Sequence, residues 1–433
     1  MNTLKTDMIG DRSKYDILTV HHTPEYSPGA HFGPALLPFH RELLKQLEIG
    51  LRLADPGVAV PYWDSSLDQP LPDPKHSILW TPLFFGNGQG EVTEGPFANW
   101  TTIPDIQVRD LSPNKRIMRS IGTSPFGGLY KTEDIETIRN LGTLRNLTYC
   151  VNPTFELIHG TVHMWVGGHM GELRISPNDP TFFLLHSHVD YLWENFRRFH
   201  GKSHEQMAAE YPSDAESCNS FHYKTSRMRP WEMNNADGLS GDYIEKLYQY
   251  DQSPSCSRLN MDCGSPYLFC YDRWPSPVCV SKVMIGGNCT GFERFDICYR
   301  GRCSGGRCVN APATTTVLPT TTPPPTPTTS RDPFAWRSFF RTTRKPMPIR
   351  STTPLRTTVD PRVFTNPPTP ARAPPPTTAR PPPPATTKRP SSATTRPSPL
   401  TTTIPSPPRT TARTLPPTTR SRREPPVGHS FRL

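Results

Sequence analysis

Two sets of three histidines hold the residues best placed to do chemistry in this chain. His22, His31 and His40 form the first set, and His159, His163 and His186 form the second, far downstream. Each set lies in or beside apolar, helix-patterned sequence, where unsatisfied ring nitrogens are costly unless something binds them. Imidazole is a preferred ligand for copper and zinc, and three ligands per ion leave positions open for a substrate. Two sets of three therefore predict two metal ions at one site, in an oxidoreductase or a hydrolase. His159 and His163, four apart, share a helix face and can chelate one ion. Residue 160 is Gly, so the glutamate base of an HExxH zinc protease is missing, and that reading falls away. His186 stands four before Asp190, whose carboxylate is expected to orient it from behind the metal.

The elements that must position these histidines are mostly helices. From Ala35 to Ala54 the apolar residues Leu36, Phe39, Leu43, Leu44, Leu47 and Leu51 recur at helical spacing. That predicts an amphipathic helix starting near Pro38 and stopping near Asp55, with His40 on its buried face. "NPTFELIHGTVHMWVGG" predicts a second helix, entered at Asn152 and Pro153 and ended by Gly167 and Gly168. A third is expected from about Pro180 to His200. His188, two residues from His186, points to another face and is not expected to be a ligand, nor is His169. Arg41 and Glu48, on one side of the first helix, are expected to form either an ion pair or a simple exposed face. Residues 65–150, rich in Pro, Gly, Asn and Thr, predict loops with short helices. The fold class is mainly α, with long loops.

Composition divides the chain into three parts. Residues 1–250 carry the histidines, and residues 251–310 hold eight of the ten cysteines. Residues 311–433 are dominated by Thr, Pro and Arg, which cannot bury enough apolar surface to order, so this tail is expected to be disordered. The tail carries 19 Lys and Arg against 3 Asp and Glu, a net +16; the whole chain is +10, so residues 1–310 carry −6. The basic character belongs to the tail, and no nucleic-acid partner is expected for the core. Eight cysteines in so small a module predict disulfides and an oxidising, extracellular compartment. Their pairing has 105 possibilities, while Cys150 and Cys218 are candidates to pair with each other. Asn99, Asn146 and Asn288 stand in Asn-x-Thr acceptor sequences, consistent with secretion. The opening residues contain no apolar leader and no transmembrane run appears, so the start is expected to be truncated relative to a secreted parent.

"SPGAHFGPALLPFHRELLKQLE", "VPYWD", "HGTVHMWVGG" and "DPTFFLLHSHVDYLW" occur in that order, and together they resemble the tyrosinase family of type 3 copper proteins over about residues 15–200. The resemblance implies a four-helix bundle in which facing helices hold the site. It also implies two copper ions, the first held by His22, His31 and His40, the second by His159, His163 and His186. His21 remains a rival to His22, which the family spacing favours. It further implies oxidation of phenols and catechols to o-quinones with dioxygen, on small molecules or protein tyrosines. The alternatives are a catechol oxidase without monophenol hydroxylation, or a non-catalytic dioxygen-binding or matrix protein. Three positions depart from the family pattern. Leu185 replaces the first histidine of the usual His-His pair, and Gly29 replaces the cysteine that forms a thioether in some members. Gly160 replaces an asparagine associated with hydroxylation, which shades the expectation toward diphenols. The cysteine module is expected to contact an extracellular matrix or another partner.

Overall fold

The computed structural model describes residues 1–104, 110–273, 276–311 and 344–346. All of these lie in one of the chain's two compact units, Met1–Thr369; the rest of the expected disordered tail lies outside the described residues. Seven α-helices are described: α1 (Asn2–Thr6), α2 (Lys14–His21), α3 (Leu36–Ala54), α4 (Thr132–Arg139), α5 (Thr154–Val166), α6 (Thr181–Phe199) and α7 (His204–Ala209). Short 3-10 turns and long loops join them. Among the described residues the strands form only two-stranded antiparallel ladders: β1 (Met8–Ile9) with β2 (Arg12–Ser13), and β3 (Gln89–Glu91) with β4 (Met118–Ser120). Further on, β5 (Tyr248–Tyr250) pairs with β10 (Arg344–Pro346), β6 (Leu268–Tyr271) with β7 (Val278–Ser281), and β8 (Gly301–Ser304) with β9 (Arg307–Asn310). The architecture is mainly α, as the sequence predicts.

Local chemistry explains where the four histidine-bearing segments begin and end. Ser13 caps α2 by accepting the Asp16 N–H at 3.1 Å, and the helix stops one residue before His22. The apolar face of α3 is buried from Leu36 to Leu51, and the extended Asp55 before Pro56 ends it. Gly167, at φ +64°, closes α5, a conformation that favours glycine. Gly168 follows at φ +54°, and a Cβ there would stand 2.0 Å from the Met118 carbonyl oxygen, so α5 is seated directly on β4. Asp179 opens α6, with one oxygen accepting the Thr181 N–H at 3.0 Å. The same carboxylate takes two bonds from the buried Arg119, at 2.6 and 2.8 Å. Charge-assisted pairs of this kind fix direction as well as position, so the entry to α6 is rigidly held.

Helices α3 and α6 pack together at the centre of the main core. Between them Arg41 donates to Asp190 at 2.7 Å, and the Tyr248 and Tyr250 hydroxyls donate to the other carboxylate oxygen at 2.7 and 2.5 Å. This corrects two expectations. Asp190 ties α3, α6 and β5 together rather than orienting His186, because it lies beside Arg41 and the two tyrosines. Arg41 pairs with Asp190 instead of Glu48, which accepts the Val60 N–H at 3.1 Å.

Cys150 and Cys218 are bonded. The cysteine module pairs Cys256 with Cys270, Cys263 with Cys279, Cys289 with Cys303 and Cys298 with Cys308. Two successive four-cysteine units thus share one scheme, first with third and second with fourth, each closing on a hairpin. Cys263, Cys270 and Cys279 belong to the main core, whereas Cys289, Cys298 and Cys308 help form a smaller one with Phe269, Val280 and Ile297.

Candidate metal centre

Both histidine sets converge in space. In each, one ring nitrogen per residue lies within 4.8 Å of the other two. Within the first set ring centroids stand 4.6 Å (His22–His31), 5.4 Å (His22–His40) and 5.1 Å (His31–His40) apart. In the second the distances are 4.9 Å (His159–His163), 5.0 Å (His159–His186) and 5.3 Å (His163–His186). The sets meet where His40 stacks on His186, centroids 4.0 Å apart and planes inclined by 8°. Phe182 closes the inner wall against His22 and His186.

Helix geometry chooses which nitrogen each ring presents. His40 Nδ1 lies 2.9 Å from the Leu36 carbonyl, His159 Nδ1 2.9 Å from the Glu156 carbonyl, and His163 Nδ1 3.0 Å from the Met170 carbonyl. A carbonyl only accepts, so each Nδ1 carries the proton and each Nε2 offers a lone pair inward. His40 Nε2, His159 Nε2, both nitrogens of His22 and Nδ1 of His186 are buried and have no hydrogen-bond partner among the described residues. His163 and His186 bring their Nε2 atoms within 3.2 Å of each other. Converging lone pairs left unpaired are expensive in a dry site, and a soft-to-borderline divalent or monovalent metal relieves that cost.

Electrostatics points the same way. Burial holds His40 down to about 3 and His159 down to about 4. Burial, followed by the charges of neighbouring imidazoles, puts His22, His31, His163 and His186 well below the usual histidine range. All six are neutral at physiological pH, the form a metal requires.

His21 turns away from the set, its ring 6.2 Å edge-on to Trp231, and it is His22 that groups with His31 and His40. His188 is enclosed by Tyr62, Tyr191 and Tyr130 with Asp64 at 3.5 Å, and His169 Nδ1 accepts the Met118 N–H at 2.9 Å. Neither belongs to the centre. Trp63 is fully buried; its backbone N–H donates to the Leu184 carbonyl at 3.0 Å and its indole N–H to Asp68 at 2.9 Å.

A cavity of about 460 Å³ opens over both sets, reaching His31, His159 and His163 between Phe32, Phe126, Tyr149, Leu157, Met164 and Leu173. Sequence reasoning missed Glu156 on its wall. That carboxyl accepts the Phe32 N–H at 2.6 Å and also the Gly33 N–H, and burial pushes it up to about 7. Glu156 therefore clamps the loop that carries His31 while its carbonyl orients His159. The available signal was a carboxylate three residues before a helical histidine. His222 was also missed: it is buried, bonds the His31 backbone, and lies where a Cβ on Gly33 would come within 2.6 Å.

The model of the common central domain of tyrosinase matches residues 12–198. The tyrosinase of Streptomyces glaucescens is 34% identical over 238 residues, 51% of this chain and 79% of that protein. The chain belongs to the tyrosinase family. A putative tyrosinase-like protein, tyr-3, of Caenorhabditis elegans is 40% identical over 324 residues, covering 71% of this chain but 45% of the relative. Tyrosinase-like protein 2 of Margaritifera margaritifera is 31% identical, over 62% of this chain and 61% of the relative. The chain thus spans about half the length of these two relatives. Family membership implies a dicopper centre, and the two neutral, inward-facing histidine sets suit one. Residues 12–198 of the tyrosinase match contain every member of both sets.

Proposed function

We propose that this chain oxidises phenols, and catechols better than monophenols, to o-quinones with dioxygen, using two copper ions. His22, His31 and His40 would hold one ion, and His159, His163 and His186 the other. The observation that carries the reading is the meeting of two three-histidine sets through the His40–His186 stack beneath an open, mostly apolar cavity. Bound there, the copper pair supplies two-electron redox chemistry between dioxygen and the phenolic substrate. Overall, two catechols give two o-quinones while one dioxygen takes up their four electrons and four protons as two waters.

The protein's own contribution is positional. Backbone carbonyls fix three tautomers, Phe182 and the surrounding core exclude water from behind, and Glu156 ties the His31 loop to α5. A Cβ on Gly160 would meet nothing within 4 Å. Gly160 stands where the family pattern carries an asparagine associated with hydroxylation, which supports the preference for diphenols.

The wider organisation is part of the same proposal: a catalytic region over residues 1–250, a cysteine module over 251–310 and a Thr/Pro/Arg tail over 311–433. Five disulfides support an extracellular setting, and no helix among the described residues is long and apolar enough to cross a membrane. An extracellular matrix contact through the cysteine module belongs to this reading.

The test is oxygen consumption by the copper-loaded full chain with 4-methylcatechol and 4-methylphenol, alongside copper content. Two coppers per chain, steady quinone formation from the catechol and slower or absent turnover of the monophenol are expected. Reversible oxygen binding without quinone would show a carrier, and fewer than two tightly held coppers would overturn the assignment.

A further inference from the structure

The cavity over the histidines is uneven in charge. Its lining includes one carboxylate, Glu156, and neither Lys nor Arg among the described residues. The nearest arginine in sequence, Arg174 beside Leu173, is turned to Glu25 at 2.6 Å. The mouth is apolar: Phe32, Phe126 and Leu157 remain 52%, 77% and 54% exposed. Phe32 also sits at φ +61° with its ring 5.4 Å from Tyr149, so the rim is held in place from two sides.

Resting on the proposed phenol chemistry, we infer that this cavity selects against carboxylate-bearing substrates and favours catechols that are neutral or carry an amine. A substrate that directs its ring toward the histidines leaves its side chain at the rim. There an α-carboxylate loses water without gaining a cation. An ammonium group in the same place meets the rings of Phe32 and Phe126, whose faces attract cations. Free aromatic amino acids are thereby poor substrates, while aryl-ethylamines are good ones, as are catechols whose carboxyl is tied up in an ester or peptide bond.

The experiment compares kcat/KM of the copper-loaded full chain for dopamine, L-DOPA, L-DOPA methyl ester, 3-(3,4-dihydroxyphenyl)propionate and 4-methylcatechol. L-DOPA should fall about tenfold or more below dopamine, its methyl ester should recover most of that loss, and the propionate should be the poorest. Leu157→Arg, placing a cation at the rim, should narrow the dopamine to L-DOPA ratio at least threefold. Equal turnover of L-DOPA and dopamine, or a ratio unmoved in Leu157→Arg, would overturn the inference.

A second measurement does not depend on oxidation. Saturation-transfer NMR on the copper-free full chain with 2-phenylethylamine and 3-phenylpropionate should show transfer to the amine and little to the acid. The reverse preference overturns the inference. Failure to oxidise any catechol, with the amine preference intact, counts against the proposed function alone.

Discussion

Removing the Cys150–Cys218 disulfide, as Cys150→Ser with Cys218→Ser, should weaken the first histidine set more than the second. The bond joins residues 68 apart, and loop-closure entropy for that separation gives about 4 kcal/mol. For a folded region of about 310 residues this is a melting shift of about 6 °C. The local effect is more telling than the global one. On one side of the bond Tyr149 packs on Phe32; on the other, Phe221 and His222 press on Gly29 and Gly33. The loop carrying His31 is thus held between the two segments that the disulfide connects, whereas His159 and His163 sit on α5. Calorimetry gives the global shift, and hydrogen exchange compares residues 27–34 with residues 155–166. Copper titration then asks which ion is lost first. Faster exchange confined to the His31 loop and one weakly held copper are expected. Equal weakening of both sets, or unchanged exchange at 27–34, would refute the reasoning.

Three further outcomes follow from the geometry. For the metal-free protein, the six histidines have folded pKa values below the unfolded 6.5, so the unfolded chain binds more protons as acid is added. Stability should therefore be full above pH 6.5 and fall toward pH 4, by up to about 1.4 kcal/mol per pH unit per histidine; a urea midpoint flat between pH 7 and 4.5 would contradict this. Asp190→Asn should cost about 3–5 kcal/mol because it leaves the Arg41 guanidinium buried beside a neutral amide, as denaturant midpoints can show. Gly168→Ala should cost roughly 2–4 kcal/mol, since its Cβ would strike the Met118 backbone. Gly142→Ala, also at positive φ but with nothing within 4 Å, should cost about 1 kcal/mol; equal melting of the two variants would remove the argument.

Much of the scaffold was legible because period and punctuation agree. The amphipathic spacing of α3, the Asn152–Pro153 entry and Gly167 exit of α5, and the Asp179–Pro180 start of α6 are local signals, and the helices fall within a residue or two of them. Helix phase alone put His159 and His163 on one face of α5, whereas His186, on α6, joined them only through the family motif. His31 lies on a loop and His22 at a helix end, where phase says nothing, so the family spacing had to separate His22 from His21. Asp190 was misjudged because its partners, Tyr248 and Tyr250, lie 58 and 60 residues away. Helical spacing brought His186 to mind and could not announce a competing pair of hydroxyls. Glu156 and His222 were invisible for a similar reason: each acts on the His31 loop through contacts that only the tertiary fold creates.

The duplicated disulfide scheme has a consequence for how the protein is made. In each hairpin the third and fourth cysteines are cross-strand neighbours, Cys270 opposite Cys279 and Cys303 opposite Cys308, yet neither bonds to its neighbour. Each instead reaches back to a cysteine earlier in its own unit. The hairpin itself therefore brings a mispairing close. Oxidation that outruns folding would trap it, and exchange through mixed disulfides would be needed to escape. Production of this chain should accordingly depend less on oxidant than on a disulfide isomerase, and yield in a merely oxidising host should be limited by reshuffling.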